Sequence, residues 1–142
     1  MAPKKKKAAG DAAKGEKLFK NLCTLCHSLS GHATGPALGG IGGQNIASSD
    51  GFSYSGALSS KATLKWSSSN LNRWLKAPSE FAPGNAMAFA GMPSAKDRED
   101  LVAFLMGWTT HILELLSQNN KYLKVWVYLL TDLFKEIIVI NI

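Results

Sequence analysis

Apolar residues recur at helical spacing near the start of the chain. Asp11 follows Gly10 and can cap a helix that runs up to the first cysteine, Cys23. The apolar stripe of this helix consists of Leu18, Phe19 and Leu22. Gly15, in the middle of the pattern, costs about 1 kcal/mol relative to alanine inside a helix. We therefore expect another element to approach the backbone closely at Gly15.

Two further stretches have helical spacing. The pattern predicts a short helix over residues 69–77, ended by Pro78, and a longer helix over residues 95–108. The apolar side of the short helix carries Leu71, Trp74 and Leu75. That of the longer helix carries Leu101, Val102, Phe104, Leu105 and Trp108. Each of the three patterns thus predicts a helix.

The segments between these helices are rich in small residues. Residues 31–43 contain six glycines and Pro36, a density that predicts a folded loop. Residues 44–64 are rich in Ser, Gly and Ala, and residues 80–93 are predicted to form an ordered loop that contains Met87 and Met92. Such long loops are unusual in a compact domain unless something else, such as a buried cofactor, organises them.

The end of the chain, residues 121–142, has an amphipathic helical pattern. Its longest run without charge, residues 125–131, has seven residues, far short of the ~20 that span a bilayer. Three interpretations stay open: a helix that docks on a membrane or a partner, a helix that folds back on the main domain, and a mispredicted gene end.

Charge is concentrated at the other end of the chain. Residues 1–20 carry seven lysines against two acidic residues, whereas residues 21–109 carry six basic and five acidic side chains. The chain of 142 residues therefore has a nearly neutral body, which does not indicate a nucleic-acid partner. No apolar segment follows Lys4 to Lys7, so these lysines are not read as an export signal. We expect residues 1–9 to form a disordered lysine-rich arm.

The sequence Cys23-Thr24-Leu25-Cys26-His27 is the main chemical feature. Thiols at i and i+3 can add to the two vinyl groups of one haem while the adjacent imidazole reaches the iron. A thioredoxin-like thiol pair, half of a zinc site and chance are the alternatives. A second axial ligand is expected to be a methionine thioether, and position alone does not separate Met87 from Met92.

A series of further motifs resembles the class I cytochromes c, the mitochondrial carrier and its alphaproteobacterial relatives. The motifs are Gly10 to Gly15, Phe19, the Cys23–His27 motif, Thr34-Gly35-Pro36, Gly51 to Ser55, Trp66 and Pro83 to Gly91. They cover about residues 10–108 in collinear order. The resemblance implies an all-α class I cytochrome c fold wrapped around one covalent haem c, with an additional C-terminal amphipathic helix.

The resemblance also implies roles for individual residues. Cys23 and Cys26 would bond the haem, and His27 and Met87 would ligate the iron. Pro36 would accept a hydrogen bond from His27 through its carbonyl. Tyr54, Trp66 and Asn85 match propionate-binding positions, Trp74 an aromatic packed on the haem, and Phe89 a ring that screens its edge. His32 matches a structural histidine, and Gly15 and Phe19 are expected to meet Leu101, Phe104 and Leu105.

The chain departs from the family mainly in its surface charge. Lysines around the haem edge guide docking in mitochondrial members. Uncharged or acidic residues replace many of them here: Leu22, Ser79, Glu80, Ala86, Pro93 and Ser94. Lys17, Arg73, Lys76 and Lys96 remain as candidates. Gln44 also replaces an arginine that commonly supports a propionate, and the segment from His27 to Pro36 is short.

The function implied is that of an electron-transfer protein, not an enzyme. It would shuttle single electrons between a cytochrome bc1-like reductase and an oxidase-like acceptor, as a monomer in the mitochondrial intermembrane space. The bacterial periplasm is the alternative location. Peroxidase-like activity after loss of the Met87 ligand, and a haem-free thiol or zinc module, are the alternative functions. Residues 10–108 would form the haem domain and residues 109–142 a helical extension.

Overall fold

Five α-helices form the secondary structure of the described residues. The computed structural model describes residues 10–119, with side chains through residue 108. The helices are α1 (Ala12–Leu22), α2 (Gly56–Ser59), α3 (Ser68–Lys76), α4 (Pro78–Phe81) and α5 (Ala95–Asn119). One isolated antiparallel bridge joins Asn45 to Lys65, and no strand is present within residues 10–119. By its contacts the chain divides into two units, residues 1–107 and residues 108–142.

The three predicted helices are present, with one difference in length. The Asp11 carboxylate caps α1 by accepting hydrogen bonds from the backbone N–H groups of Ala13 and Lys14 at 3.1 and 3.2 Å. Helix α3 begins one residue before its predicted start. The prediction that the last helix ends at Trp108 was wrong, because α5 continues to Asn119. No glycine or proline interrupts residues 108–119, so nothing in this stretch breaks the helix.

Two one-turn helices lie where the sequence predicted only loops. Helix α2 is capped by Ser55, whose hydroxyl accepts a hydrogen bond from the N–H of Leu58 at 3.4 Å. Helix α4 begins with Pro78, which ends α3 and also occupies the first position of the next helix. Four residues are too few to show a helical repeat of apolar positions, and both helices were therefore missed.

Helices α1 and α5 cross at Gly15, as predicted. A Cβ atom on Gly15 would lie 2.0 Å from the carbonyl oxygen of Asp100 and 2.7 Å from the Cβ atom of Phe104. The rings of Phe19 and Phe104 pack with their centroids 5.6 Å apart, and both side chains are buried. The absence of a side chain at Gly15 thus allows the two helix backbones to touch.

A buried carboxylate connects the beginnings of the same two helices. The Asp100 side chain is buried and accepts a hydrogen bond from the backbone N–H of Asp11 at 2.7 Å. It also accepts one from the Lys96 ammonium group. These bonds, with the Lys96 bond as the larger effect, lower the pKa of Asp100 from its ordinary value. The charged form of Asp100 therefore stabilises the contact between α1 and α5.

The predicted apolar stripe of α1 is only partly buried. Phe19 is 2% exposed, but Leu18 is half-buried and Leu22 is 48% exposed. The face of α1 that meets α5 is defined by Gly15 and Phe19, which are four residues apart. The predictions for the other two helices are confirmed except at Trp108: Leu71, Trp74 and Leu75 of α3 and Leu101, Val102, Phe104 and Leu105 of α5 are all buried, whereas Trp108 is half-buried.

The amphipathic pattern of residues 121–140 and the lysine-rich arm of residues 1–9 lie outside the described residues. Among the described helices, none is both long enough and apolar enough to cross a membrane.

Candidate haem-binding site

The two cysteines and His27 form one turn that continues α1. The N–H groups of Cys26 and His27 both donate to the carbonyl oxygen of Cys23, at 3.1 and 2.8 Å. In such a helical turn, residues at i, i+3 and i+4 share a face, whereas the residue at i+2 lies on the other side. The turn therefore presents Cys23, Cys26 and His27 together and directs Leu25 away from them.

The imidazole of His27 is held by the loop that follows the turn. Its Nδ1 atom lies 2.8 Å from the carbonyl oxygen of Pro36 and donates a hydrogen bond to it. Because Nδ1 carries the proton, the lone pair of Nε2 is free to bind a metal. The contact that the resemblance implies between His27 and Pro36 is present in the structure.

Gly35 gives the His27 ring the space that it occupies. A Cβ atom at this position would lie 2.3 Å from Cε1 and 2.6 Å from Nδ1 of the His27 ring. The N–H of Gly35 also donates to the carbonyl oxygen of Cys26 at 2.7 Å, which fixes the loop against the turn. Only glycine permits this close approach between the loop and the imidazole.

The donor set of this turn fits a covalently bound haem. Both thiols are free, and both lie on the same face as the imidazole that presents Nε2. Burial raises the pKa of the Cys23 thiol to about 11, so little Cys23 thiolate exists at neutral pH, which disfavours thiol exchange by this cysteine. Among the described residues, no group of three or more His, Cys, Asp or Glu side chains is arranged to hold a metal ion.

The predicted second ligand, Met87, lies in a tightly hydrogen-bonded loop. Its N–H donates to the side-chain oxygen of Asn85 at 2.9 Å, and its carbonyl oxygen accepts from the N–H of Phe89 at 2.9 Å. The side-chain amide of Asn85 also donates to the carbonyl oxygen of Ala82 at 3.0 Å. Asn85 thus shapes the backbone that carries Met87, which is a role beyond the propionate contact that the resemblance implies.

Met92 occupies a different environment from Met87. Met92 is 6% exposed, whereas Met87 is half-buried. The N–H of Met92 donates to the carbonyl oxygen of Leu75 at 2.7 Å, and its own carbonyl accepts from the Arg98 guanidinium at 2.5 Å. These contacts hold Met92 in the protein core between α3 and α5. The structure therefore separates two methionines that the sequence pattern left equivalent.

Three buried aromatic rings pack together on the side of α3 and α4. Trp66 and Trp74, both predicted site residues, have ring centroids 5.8 Å apart. Phe81 completes the cluster, at 6.1 Å from Trp66 and 5.8 Å from Trp74. Lys61 and Arg73 place their cationic groups 5.2 and 5.3 Å from the Phe81 ring centroid. Phe81 was not predicted, although it lies seven residues after Trp74, because Pro78 interrupts that spacing.

The remaining predicted residues lie in the loops between α1 and α3. Tyr54 is half-buried and its ring packs edge-on against Phe52 at 4.9 Å, and Phe52 also contacts the His32 ring at 5.5 Å. His32 Nε2 donates to the carbonyl oxygen of Asp50 at 2.8 Å, and its Nδ1 accepts from the N–H of Ala37 at 3.0 Å. Both ring nitrogens of His32 are therefore used in joining two loops.

Arg98 is a second structural residue that the sequence analysis missed. It is buried and donates to the carbonyl oxygens of Met92 and Pro93, at 2.5 and 2.8 Å, and to the side-chain oxygen of Asn72 at 3.1 Å. It therefore anchors the end of the Met87 loop to α3 and α5. No sequence signal distinguished it from a solvent-exposed helical arginine.

Comparison with known proteins identifies the family of this chain. The cytochrome c family model matches residues 12–109. A cytochrome c of Chlamydomonas reinhardtii is 43% identical over 100 residues, which cover 68% of this chain and 88% of that protein. A cytochrome c of Gibberella zeae is 42% identical over 101 residues, covering 69% and 94% of the two proteins.

A solved structure gives the same result. The chain is similar to cytochrome cH from Methylobacterium extorquens with a TM-score of 0.64 and 37% sequence identity, over 68% of this chain and 97% of that one. Haem c supplies one-electron chemistry when it is bound, and in this family it is bonded through a Cys-x-x-Cys pair, here Cys23 and Cys26. The chain belongs to the cytochrome c family and is a haem-based electron carrier, not an enzyme.

Proposed function

We propose that this protein shuttles single electrons between a cytochrome bc1-like reductase and an oxidase-like terminal acceptor of a respiratory chain. The proposal rests mainly on the hydrogen bond from His27 to Pro36, which orients Nε2 of His27 on the same face as both thiols. A ligand fixed in this way binds iron without rearranging when the iron gains or loses an electron. The relatives' shared name supports the carrier role, and the partners are our inference.

In this proposal His27 and Met87 would hold the haem iron. The half-buried Met87 lies in a loop shaped by Asn85, whereas Met92 is buried in the core. A thioether favours the reduced iron and raises the potential. Tyr54, Trp66 and Asn85 are proposed to bind the haem propionates, Trp74 to pack against the haem, and Phe89 to screen its exposed edge.

The proposed location is the mitochondrial intermembrane space, with the protein as a monomer. The algal and fungal relatives support this location, whereas the similar bacterial cytochrome cH supports the periplasm as the alternative. In the proposed division of the chain, residues 10–108 form the haem domain. Fractionation of source cells with an antibody to the protein tests the location.

Paired methionine variants test the ligand assignment. Met87→Ala is expected to remove the bond between the thioether and the iron and to lower the reduction potential. Met92→Ala should keep the low-spin spectrum and the potential but destabilise the protein by about 2–5 kcal/mol, because it removes a buried side chain. Absorption spectra, potentiometric titration and urea unfolding of the holoproteins separate the two. The reverse pattern would show that Met92 is the ligand.

The carrier role itself is tested with purified respiratory complexes. The reduced holoprotein should reduce a mitochondrial-type cytochrome oxidase, and the oxidised holoprotein should accept electrons from a bc1 complex. A five-coordinate spectrum of the wild type, together with rapid reaction with peroxide, would instead indicate a peroxidase.

A further inference from the structure

The segments that carry the proposed iron ligands contain no charged side chain. Residues 21–49, which include His27, and residues 81–95, which include Met87, lack Lys, Arg, Asp and Glu altogether. The haem is bonded to Cys23 and Cys26, so its covalent edge lies within the first of these segments. An electron that enters or leaves at this edge therefore passes close to a segment that carries no charged side chain.

A row of leucines runs along the outside of this edge. Leu18, Leu22 and Leu25 have the i, i+4, i+7 spacing that aligns side chains on a helix, and the turn at Cys23 continues α1. Leu22 is 48% exposed and Leu25 is 92% exposed. Because Leu25 occupies the i+2 position of the turn, it points away from the face that presents the thiols and His27. The geometry of the turn therefore accounts for the exposure of Leu25.

The charges nearest to this leucine row are partly neutralised by their neighbours. Lys20 pairs with Glu16 at 2.7 Å, and Lys14 lies 3.6 Å from Asp11, whereas Lys17, next to Leu18 in the sequence, is exposed. These pairs reduce the long-range field of α1. Burial of a leucine side chain is favourable against an apolar surface. An uncharged face does not attract a surface that carries carboxylates.

We propose that Leu22 and Leu25 form the centre of an apolar docking face, and that the redox partner meets it with an apolar, uncharged contact surface. This inference rests on the proposed carrier function and adds to it the chemistry of the partner. Docking then relies on burial of the two leucines beside the haem edge, and the rate of electron transfer depends little on the charge of the contact area.

Electron self-exchange tests the face without any partner. One electron passes from the reduced iron of one copy to the oxidised iron of another, and no bond or proton changes. The rate constant is measured by NMR on mixtures of the oxidised and reduced holoprotein. Leu25→Lys is compared with Leu64→Lys, which adds the same charge at a residue that is 42% exposed and outside both uncharged segments.

If two copies dock through this face, the positive charge of Leu25→Lys in one copy lies close to the same charge in the other, and the two repel each other. Leu25→Lys is therefore expected to exchange electrons about tenfold more slowly than Leu64→Lys at ~10 mM ionic strength. The difference should fall below about twofold at ~1 M, where the Debye length is ~3 Å. Equal rates for the two variants would overturn the proposal. So would a change in the absorption spectrum or potential of Leu25→Ala, since Leu25 would then pack on the haem.

A second experiment tests the partner with a detergent-solubilised bc1 complex as the probe. Adding the complex should weaken the amide NMR signals of Leu22 and Leu25 in the isotope-labelled holoprotein, and Leu25→Ala should slow electron transfer about tenfold. A rate that falls steeply with salt and is unaffected by Leu25→Ala would overturn the apolar docking face. If the wild type exchanges no electrons with either respiratory complex, the proposed function fails, and the self-exchange result still decides the face.

Discussion

Replacement of Gly15 by alanine tests the crossing of α1 and α5 most directly. The added Cβ atom would lie 2.0 Å from the carbonyl oxygen of Asp100, which is a backbone atom within a helix and cannot turn aside. Ordinary contact needs about 3.4 Å, so the two helices have to separate by roughly 1.4 Å. The rings of Phe19 and Phe104 span the same interface and would lose contact when it opens.

Two opposing effects determine how much Gly15→Ala changes the free energy of unfolding. Alanine is a better helix former than glycine by about 1 kcal/mol, which favours the variant. Overpacking of a well-packed interface costs about 1–3 kcal/mol and more where the backbone has to move. The obstacle here is backbone, and buried Asp100 also loses its bond geometry to Asp11 when α5 shifts. We expect overpacking to prevail, with a net loss of about 2 kcal/mol in the free energy of unfolding.

Gly107→Ala is the matched control, because Gly107 also lies within a helix. Among the described atoms, nothing lies within 4 Å of a Cβ atom built at this position. The control should therefore be neutral or up to about 1 kcal/mol more stable than the wild type. Both holoproteins are unfolded in urea and followed by circular dichroism. If Gly15→Ala is as stable as Gly107→Ala, the close crossing does not constrain the fold as we have reasoned.

Three other predictions concern single residues. Asp100→Asn should lower stability at pH 7, and the difference should disappear as the pH falls through the lowered pKa of Asp100, below 3.8, because only the charged form stabilises the folded state. Ala47→Gly should raise the free energy of unfolding by about 0.5–1 kcal/mol, since Ala47 has a φ of 57° and glycine removes the strain. Gly35→Ala should displace the His27 ring and weaken its bond to the iron, which near-infrared and NMR spectra of the oxidised holoprotein detect.

Each of these has an outcome that would contradict it. A stability difference for Asp100→Asn that persists unchanged at pH 2 would show that charge is not the cause. Ala33→Gly, at a loop position without a positive φ, should destabilise, so a similar gain in both glycine variants would contradict the strain at Ala47. An unchanged spectrum of Gly35→Ala would show that the loop yields without moving the imidazole.

The sequence predicted the parts of the fold that repeat at helical spacing. Helix α1 was found from the Asp11 cap and the apolar positions that follow it, and the buried faces of α3 and α5 agree with their patterns. The half-buried Leu18 and exposed Leu22 show the limit of the method. Periodicity identifies an apolar side of a helix, but the partner helix decides which part of that side is covered.

In the candidate site too, local spacing predicted some residues, whereas others depend on contacts that are distant in the sequence. The two thiols and the imidazole were predicted because their chemistry depends on their spacing within one turn. This spacing can be read directly from the order of the residues. Met87 and Met92 could not be separated by position, since the difference lies in contacts with Leu75 and Arg98 that are distant in sequence or have no distinctive pattern. Such contacts become visible only when the chain is folded.

The environment of Arg98 shows why a charged residue can belong to the frame of an electron carrier. Its guanidinium is buried and bonds to the carbonyl oxygens of Met92 and Pro93, so it closes the loop that begins after α4 and carries Met87. A loop that is fixed at this end, and shaped by Asn85 within it, limits how far Met87, the ligand that we propose, can move when the iron changes its charge. The rigid frame is thus built from polar contacts inside the protein, while the face that we propose for docking is built from leucines. The charge of Arg98 holds the loop in place, and in our proposal the apolar surface makes the contact through which the electron passes.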